Sequence, residues 1–138
     1  MNVILLYISF LSAIFSSDNP RLTLKVSEFK ALKGELIIGI FNNEESFLKD
    51  DAAYKNYTIT VDEISKTIII DNLPKGEYAL SIYHDENSDN KCNLSFIGIP
   101  KEAYGFSNNI KPKFSAPSYK DCKFSLTSDT VMNITLRH

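Results

Sequence analysis

The stretch Lys66–Asp85, "KTIIIDNLPKGEYALSIYHD", sets two apolar runs on either side of the turn signal "NLPKG". Its Ile, Tyr and Leu residues suit a pleated, half-buried surface, so each run is expected to form a strand. In the turn, Pro74 presets φ and Gly76 is expected to supply a positive φ. Upstream, "RLTLKVSEF" alternates Leu22, Leu24 and Val26 against Thr23 and Lys25, which is the period of a strand with one buried face. "GELIIGIFN" is apolar on both phases, as a central strand covered on both sides would be. "NYTITVD" alternates Tyr57, Ile59 and Val61 against Thr58 and Thr60. Near the C-terminus, "DCKFSLT" places Cys122, Phe124 and Leu126 on one face and "TVMNITLRH" does the same with Met132, Ile134 and Leu136. The intervening "SD" is short enough for a hairpin. The expected fold is therefore all-β, a seven-stranded antiparallel β-sandwich, with a closed barrel as the alternative. Only "NEESFLKDDAAYKN" shows helical spacing, with Phe47, Leu48, Ala52 and Tyr54 closing one face of a short helix.

The chain has 138 residues, and its first sixteen, "MNVILLYISFLSAIFS", are apolar almost throughout. That run is shorter than the roughly twenty residues of a membrane span and suits the core of a signal peptide, although no Lys or Arg precedes it. Residues 1–17 are read as a signal peptide, with a retained anchor or a buried strand as the alternatives, and 18–138 as one domain. The small residues at Ser16 and Ser17 offer a cleavage point, and no Cys stands there for a lipid anchor. The expected localisation is secreted, periplasmic or cell-surface, with no membrane span in the mature chain. A net charge of −2 with both signs interspersed leaves no basic stripe, which argues against nucleic acid as a partner. In an oxidising compartment Cys92 and Cys122 have two fates, a disulfide or two separate buried thiols. A bridge would close about thirty residues and stabilise by roughly 3 to 4 kcal/mol.

From about Asp85 to Lys120 no strand pattern is evident, and loops of more than about 12 to 15 residues in compact domains tend to be functional or disordered. This one carries Phe96, Ile97, Ile99, Tyr104, Phe106, Phe114 and Tyr119, enough apolar surface to pack over the sandwich. At its start, "DENSDNKCN" spaces Asp85, Asn87, Asp89 and Asn93 at relative positions one, three, five and nine, with the Lys91 carbonyl at seven. Loop calcium sites use that spacing, because a hard cation takes six to eight oxygens. Asn90 stands where a Gly usually makes the sharp turn and Phe96 where a bidentate Glu closes the site. A closing carboxylate must therefore come from elsewhere, and Glu102 is the nearest. Calcium is the one cofactor this run suggests, in the weak extracellular range of affinity. The same Asp and Asn density equally makes Asx turns that order a loop with no metal.

A catalytic alternative, a small hydrolase or isomerase, sets His84 with a loop carboxylate such as Asp85, Glu86 or Glu102, and Ser107 or Ser95 as nucleophile. Neighbours in a strand point to opposite faces, so the adjacency of His84 and Asp85 does not favour a dyad. "GFSNN" lacks the flanking glycines of a nucleophile elbow. No catalytic residue is assigned. Asn56, Asn93 and Asn133 begin N-glycosylation acceptor patterns, to which no role is given.

The block "NLPKGEYALSIYHDENSDNKCNLSFIGIPKEAYGFSNN" resembles the bacterial domain-of-unknown-function family 2141. The resemblance rests on a glycine-led strand (Gly76, Tyr78, Ala79) ending in His84, Asp85 and Asn87. Gly98, Pro100 and Glu102 follow, and then Gly105, Phe106 and Ser107. It implies an exported β-sandwich, transthyretin-like or immunoglobulin-like, without established activity, whose partners would be a protein, a glycan or an envelope component. The family's usual Gly and Asp are replaced by Asn90 and Asn93, which weakens the calcium reading, and the two cysteines stand outside the family pattern, which favours their pairing.

Overall fold

The computed structural model describes residues 18–90 and 101–138. Eight strands lie among them: β1 (Leu22–Ser27), β2 (Glu35–Phe41), β3 (Lys55–Thr60), β4 (Ser65–Ile70), β5 (Gly76–Asp85), β6 (Tyr104–Phe106), β7 (Phe124–Leu126) and β8 (Thr130–Thr135). They form two sheets. The smaller has the order β4-β1-β8 and the larger β3-β2-β5-β6, with β7 also paired to β5. One apolar core joins them, made of Leu22, Leu24 and Val26 from β1 and Ile134 from β8 against Leu36, Ile38 and Ile40 from β2 and Leu80 and Ile82 from β5. Alternation along these strands turns every second residue inward, as the sequence period requires.

The all-β expectation holds, and three details differ. First, the eighth strand is β6, inside the segment expected to lack one; three residues are too few to show a period. Second, the fold is not wholly antiparallel, because β8 runs parallel to β1, Leu22 opposite Thr130 and Val26 opposite Ile134. Parallel neighbours need a long connection, and here nearly the whole domain lies between them. Third, β7 and β8 are not a hairpin, since β7 pairs with β5 and β8 with β1. The link crosses from one sheet to the other. It is pinned where Arg21 N–H donates to Asp129 Oδ1 at 2.8 Å and Thr130 N–H to the Arg21 carbonyl at 2.8 Å.

Two local expectations are also corrected. Gly76 opens β5 without a positive φ; among the described glycines only Gly34, at +68°, has one. The turn before β5 is instead tied by the Tyr78 hydroxyl, which donates to the Pro74 carbonyl at 2.6 Å. The short helix expected around Phe47 is a series of single turns, Phe47 N–H to Glu44 O, Lys49 to Ser46 and Ala52 to Lys49, interrupted by Leu48 and Asp51 at positive φ. Of its four apolar residues two pack together, whereas Tyr54 is partly exposed and stacks on Tyr78 of the inner core. Phe47 and Leu48 pack on a second cluster of Ala79, Phe106, Tyr119 and Cys122, joined by Tyr104 and Ile110. That cluster covers the outer face of the larger sheet with Tyr104, Phe106 and Tyr119 as expected, but Phe114 stays fully exposed, and Phe96, Ile97 and Ile99 lie outside the described residues. A single helical turn, α1 (Tyr119–Cys122), carries Tyr119 and Cys122 into it, begun by a capping box between Ser118 and Asp121. Among the described residues no helix is long and apolar enough to cross a membrane.

Candidate metal centre

The end of β5 sets the geometry. His84 is fully buried beside the inward residues of β5, so Asp85, its neighbour, faces the outer side of the sheet, where it too has no exposed surface. On one flank, β6 pairs antiparallel with β5, Tyr83 opposite Tyr104. His84 N–H donates to the Ala103 carbonyl at 2.8 Å and carries that ladder one step further, which brings Glu102 opposite Asp85. On the other flank, β2 places Glu35 opposite Asp85. Three carboxylate residues thus stand abreast at the exit of β5, an arrangement of like charges that disfavours the sheet unless a positive charge joins it.

Beyond Asp85 the chain turns back on itself. Asp85 Oδ1 accepts from Asp89 N–H at 3.2 Å and Oδ2 from Asn90 N–H at 2.7 Å, and Asn87 Oδ1 also accepts from Asp89 N–H at 3.3 Å. Ser88 and Asn90 take positive φ, 55° and 58°, so Asn90 fills the left-handed position expected of it. The turn returns Asp89 to the strand end, where one carboxylate oxygen each from Asp85, Asp89 and Glu102 lie within 4.8 Å of one another. Oxygens this close can share one hard cation, which takes oxygen ligands at about 2.1 to 2.5 Å.

Of the five residues read from the sequence as metal ligands, Asp85 and Asp89 come together. Asn87 is exposed, with its oxygen given to the backbone turn. Lys91 and Asn93 lie outside the described residues, as do Cys92 and the first seventeen residues. Cys122 is a free, fully buried thiol, pushed by burial and by Asp121 to a pKa of about 11. Glu102, noted in sequence only as a nearby carboxylate, is the third member of the cluster. Glu35 was missed, because nothing in a linear sequence aligns it with Asp85.

His84 and Ser107 are built into the fold. The His84 ring bonds through Nε2 to the Lys33 carbonyl at 2.7 Å and meets Phe29 edge-on at 5.3 Å; its Nδ1 lies 3.8 Å from Glu86 Oε1. Ser107 is fully buried, accepts from Leu80 N–H at 2.9 Å and donates to the Cys122 carbonyl at 2.5 Å. Asn108 donates to the carbonyls of Cys122 and Lys123, and Asn109 Oδ1 accepts from Thr135 N–H at 3.1 Å. "GFSNN" is therefore a clamp joining β5, α1 and β8. Gly105 is required in it, because a Cβ there would stand 2.7 Å from Ile134 Cγ2.

Fold and cluster together define an all-β, two-sheet domain with an acidic cluster at the exit of its longest strand. The chain belongs to the family described as an uncharacterised protein conserved in bacteria, DUF2141, whose profile matches residues 24–135. No curated protein and no solved structure matches it.

Proposed function

We propose that this protein is an exported, non-catalytic β-sandwich module whose loop after β5 is tied down by calcium and serves as a binding surface in the cell envelope. The observation that carries the reading is the convergence of Asp85, Asp89 and Glu102 carboxylate oxygens within 4.8 Å, two of the three residues being buried. A cation there would join Asp85 and Asp89 at the end of β5 to Glu102 just before β6. Export rests on the apolar first sixteen residues. Kinship with transthyretin-like or immunoglobulin-like sandwiches is supported by two sheets facing across one core. Against a hydrolase or isomerase stand the complete burial of His84 and Ser107 and the structural bonds both already make.

The test is calorimetric titration of calcium into chelator-stripped protein. One site per chain is expected, with a Kd between micromolar and millimolar, and Glu102→Gln weakens it at least tenfold while the far-ultraviolet spectrum stays unchanged. Absence of calcium heat up to several millimolar, or equal affinity in Glu102→Gln, overturns the reading.

A further inference from the structure

The segment Ile110–Ser118, "IKPKFSAPS", leaves the second core at one end and re-enters it at the other. Ile110 packs on that core, and Tyr119 and Cys122 are buried in it. Between these anchors Phe114 has a relative exposure of 101%, as open as in an isolated extended chain, and it takes part in no ring contact among the described residues. Pro112 and Pro117 fix φ on either side, so the ring is held out by stiffened backbone. Lys111, Lys113 and Lys120 around it are exposed, and none pairs with a carboxylate among the described residues; Lys123 reaches Glu77 at 3.7 Å. Lys111–Lys123 carries a net charge of +3, whereas the rest of the chain carries −5. Among the described residues the most exposed aromatic ring of this acidic chain thus sits in a basic stretch.

We infer that this loop docks the protein on an anionic phospholipid surface, with Phe114 entering the headgroup boundary and Lys111, Lys113 and Lys120 against lipid phosphates. A protein partner would need a socket shaped for the ring. A lipid interface accepts a lone protruding ring without one, and the lysines supply the charge complementarity. The inference deepens the envelope reading above and rests on it, since the surface meant is the membrane that an exported chain would face.

The chain contains no tryptophan, so Phe114→Trp installs a single fluorescent reporter at the loop tip. In the full chain with chelator present, vesicles containing phosphatidylglycerol should move its emission to shorter wavelength, and brominated acyl chains should quench it. Vesicles of phosphatidylcholine alone should do neither. Each Lys→Gln change should weaken the response about fivefold, and Lys111→Gln, Lys113→Gln and Lys120→Gln together about a hundredfold, with salt acting in the same direction. Reading the tip itself excludes any contribution of the apolar N-terminal run. No wavelength shift with anionic vesicles, or an equal shift with neutral ones, overturns the inference. A shift with soluble polyglutamate but not with vesicles also overturns it and assigns the loop to an acidic protein. Calcium titration of the same variant separates the two claims: a chain that binds calcium but leaves the tip unmoved loses only the docking, and the reverse result removes only the calcium site.

Discussion

Gly34 lets the chain entering β2 pass close against the end of β5: it has φ +68°, and a Cβ there would lie 2.1 Å from the Asp85 carbonyl oxygen. Both the conformation and the contact exclude a side chain. Gly34→Ala is expected to cost more than about 2 kcal/mol of stability in urea unfolding, and clearly more than Gly39→Ala, where the nearest atom is 3.2 Å away on the flexible Phe41 ring. Ser107 offers a second test. Ser107→Ala strands the buried Leu80 N–H and takes a donor from the Cys122 carbonyl, at a cost of about 1 to 3 kcal/mol with secondary structure intact. Cys122 sets a pH dependence. Its thiol is raised from 9.0 to about 11, so the folded state holds a proton that the unfolded state releases. The stabilisation is complete below pH 9 and is lost as pH rises toward 11. Urea midpoints should fall across that interval, with Tyr57, Tyr78 and Tyr119, all raised by burial, acting in the same direction above pH 10. In a Cys92→Ser background Cys122 should resist thiol reagents at pH 8 until the protein unfolds. Asp85 and Asp89 were legible from their spacing. Ser107 was not legible as a clamp, because its partners lie 27 and 15 residues away.

The β5–β6 ladder is the element on which the site depends, since its register sets Glu102 against Asp85. Like charges on neighbouring strands disfavour pairing, so Glu35→Gln should raise stability in chelator by about 0.2 to 1 kcal/mol and should do less once calcium is bound. The cap on α1 is separable from the site. Ser118→Ala should cost about 1 kcal/mol, read from the urea midpoint, without altering calcium affinity. Seven of the eight strands were readable: six are long enough for alternation to show, while β7, also three residues, was found only within the longer run "DCKFSLT", whose Cys122 belongs to α1 and packs in the outer cluster rather than beside Leu126. β6, the parallel pairing of β8, and the turns around Phe47 were not. Each is decided by contacts between distant segments, or by positive φ at residues such as Leu48 that no propensity favours there.

The described residues form two sheets with two apolar clusters, one between the sheets and one on the outer face of the larger sheet, to which the described part of the segment after β5 contributes. That segment begins at the acidic cluster and later carries the basic Phe114 loop. The outer cluster holds the later part from below, and a cation is proposed to hold its start. The proposal that Asp85, Asp89 and Glu102 bind calcium can be read from unfolding. Thermal unfolding in chelator and in calcium at about a hundred times the titrated Kd, for the wild-type chain and for Glu102→Gln, tests it. At about a hundred times Kd, calcium stabilises by roughly 2.7 kcal/mol, which raises the wild-type Tm by about 10 °C. That rise is expected for the wild type, and little or none for Glu102→Gln. A wild-type Tm that ignores calcium, or an equal rise in the variant, contradicts the proposal.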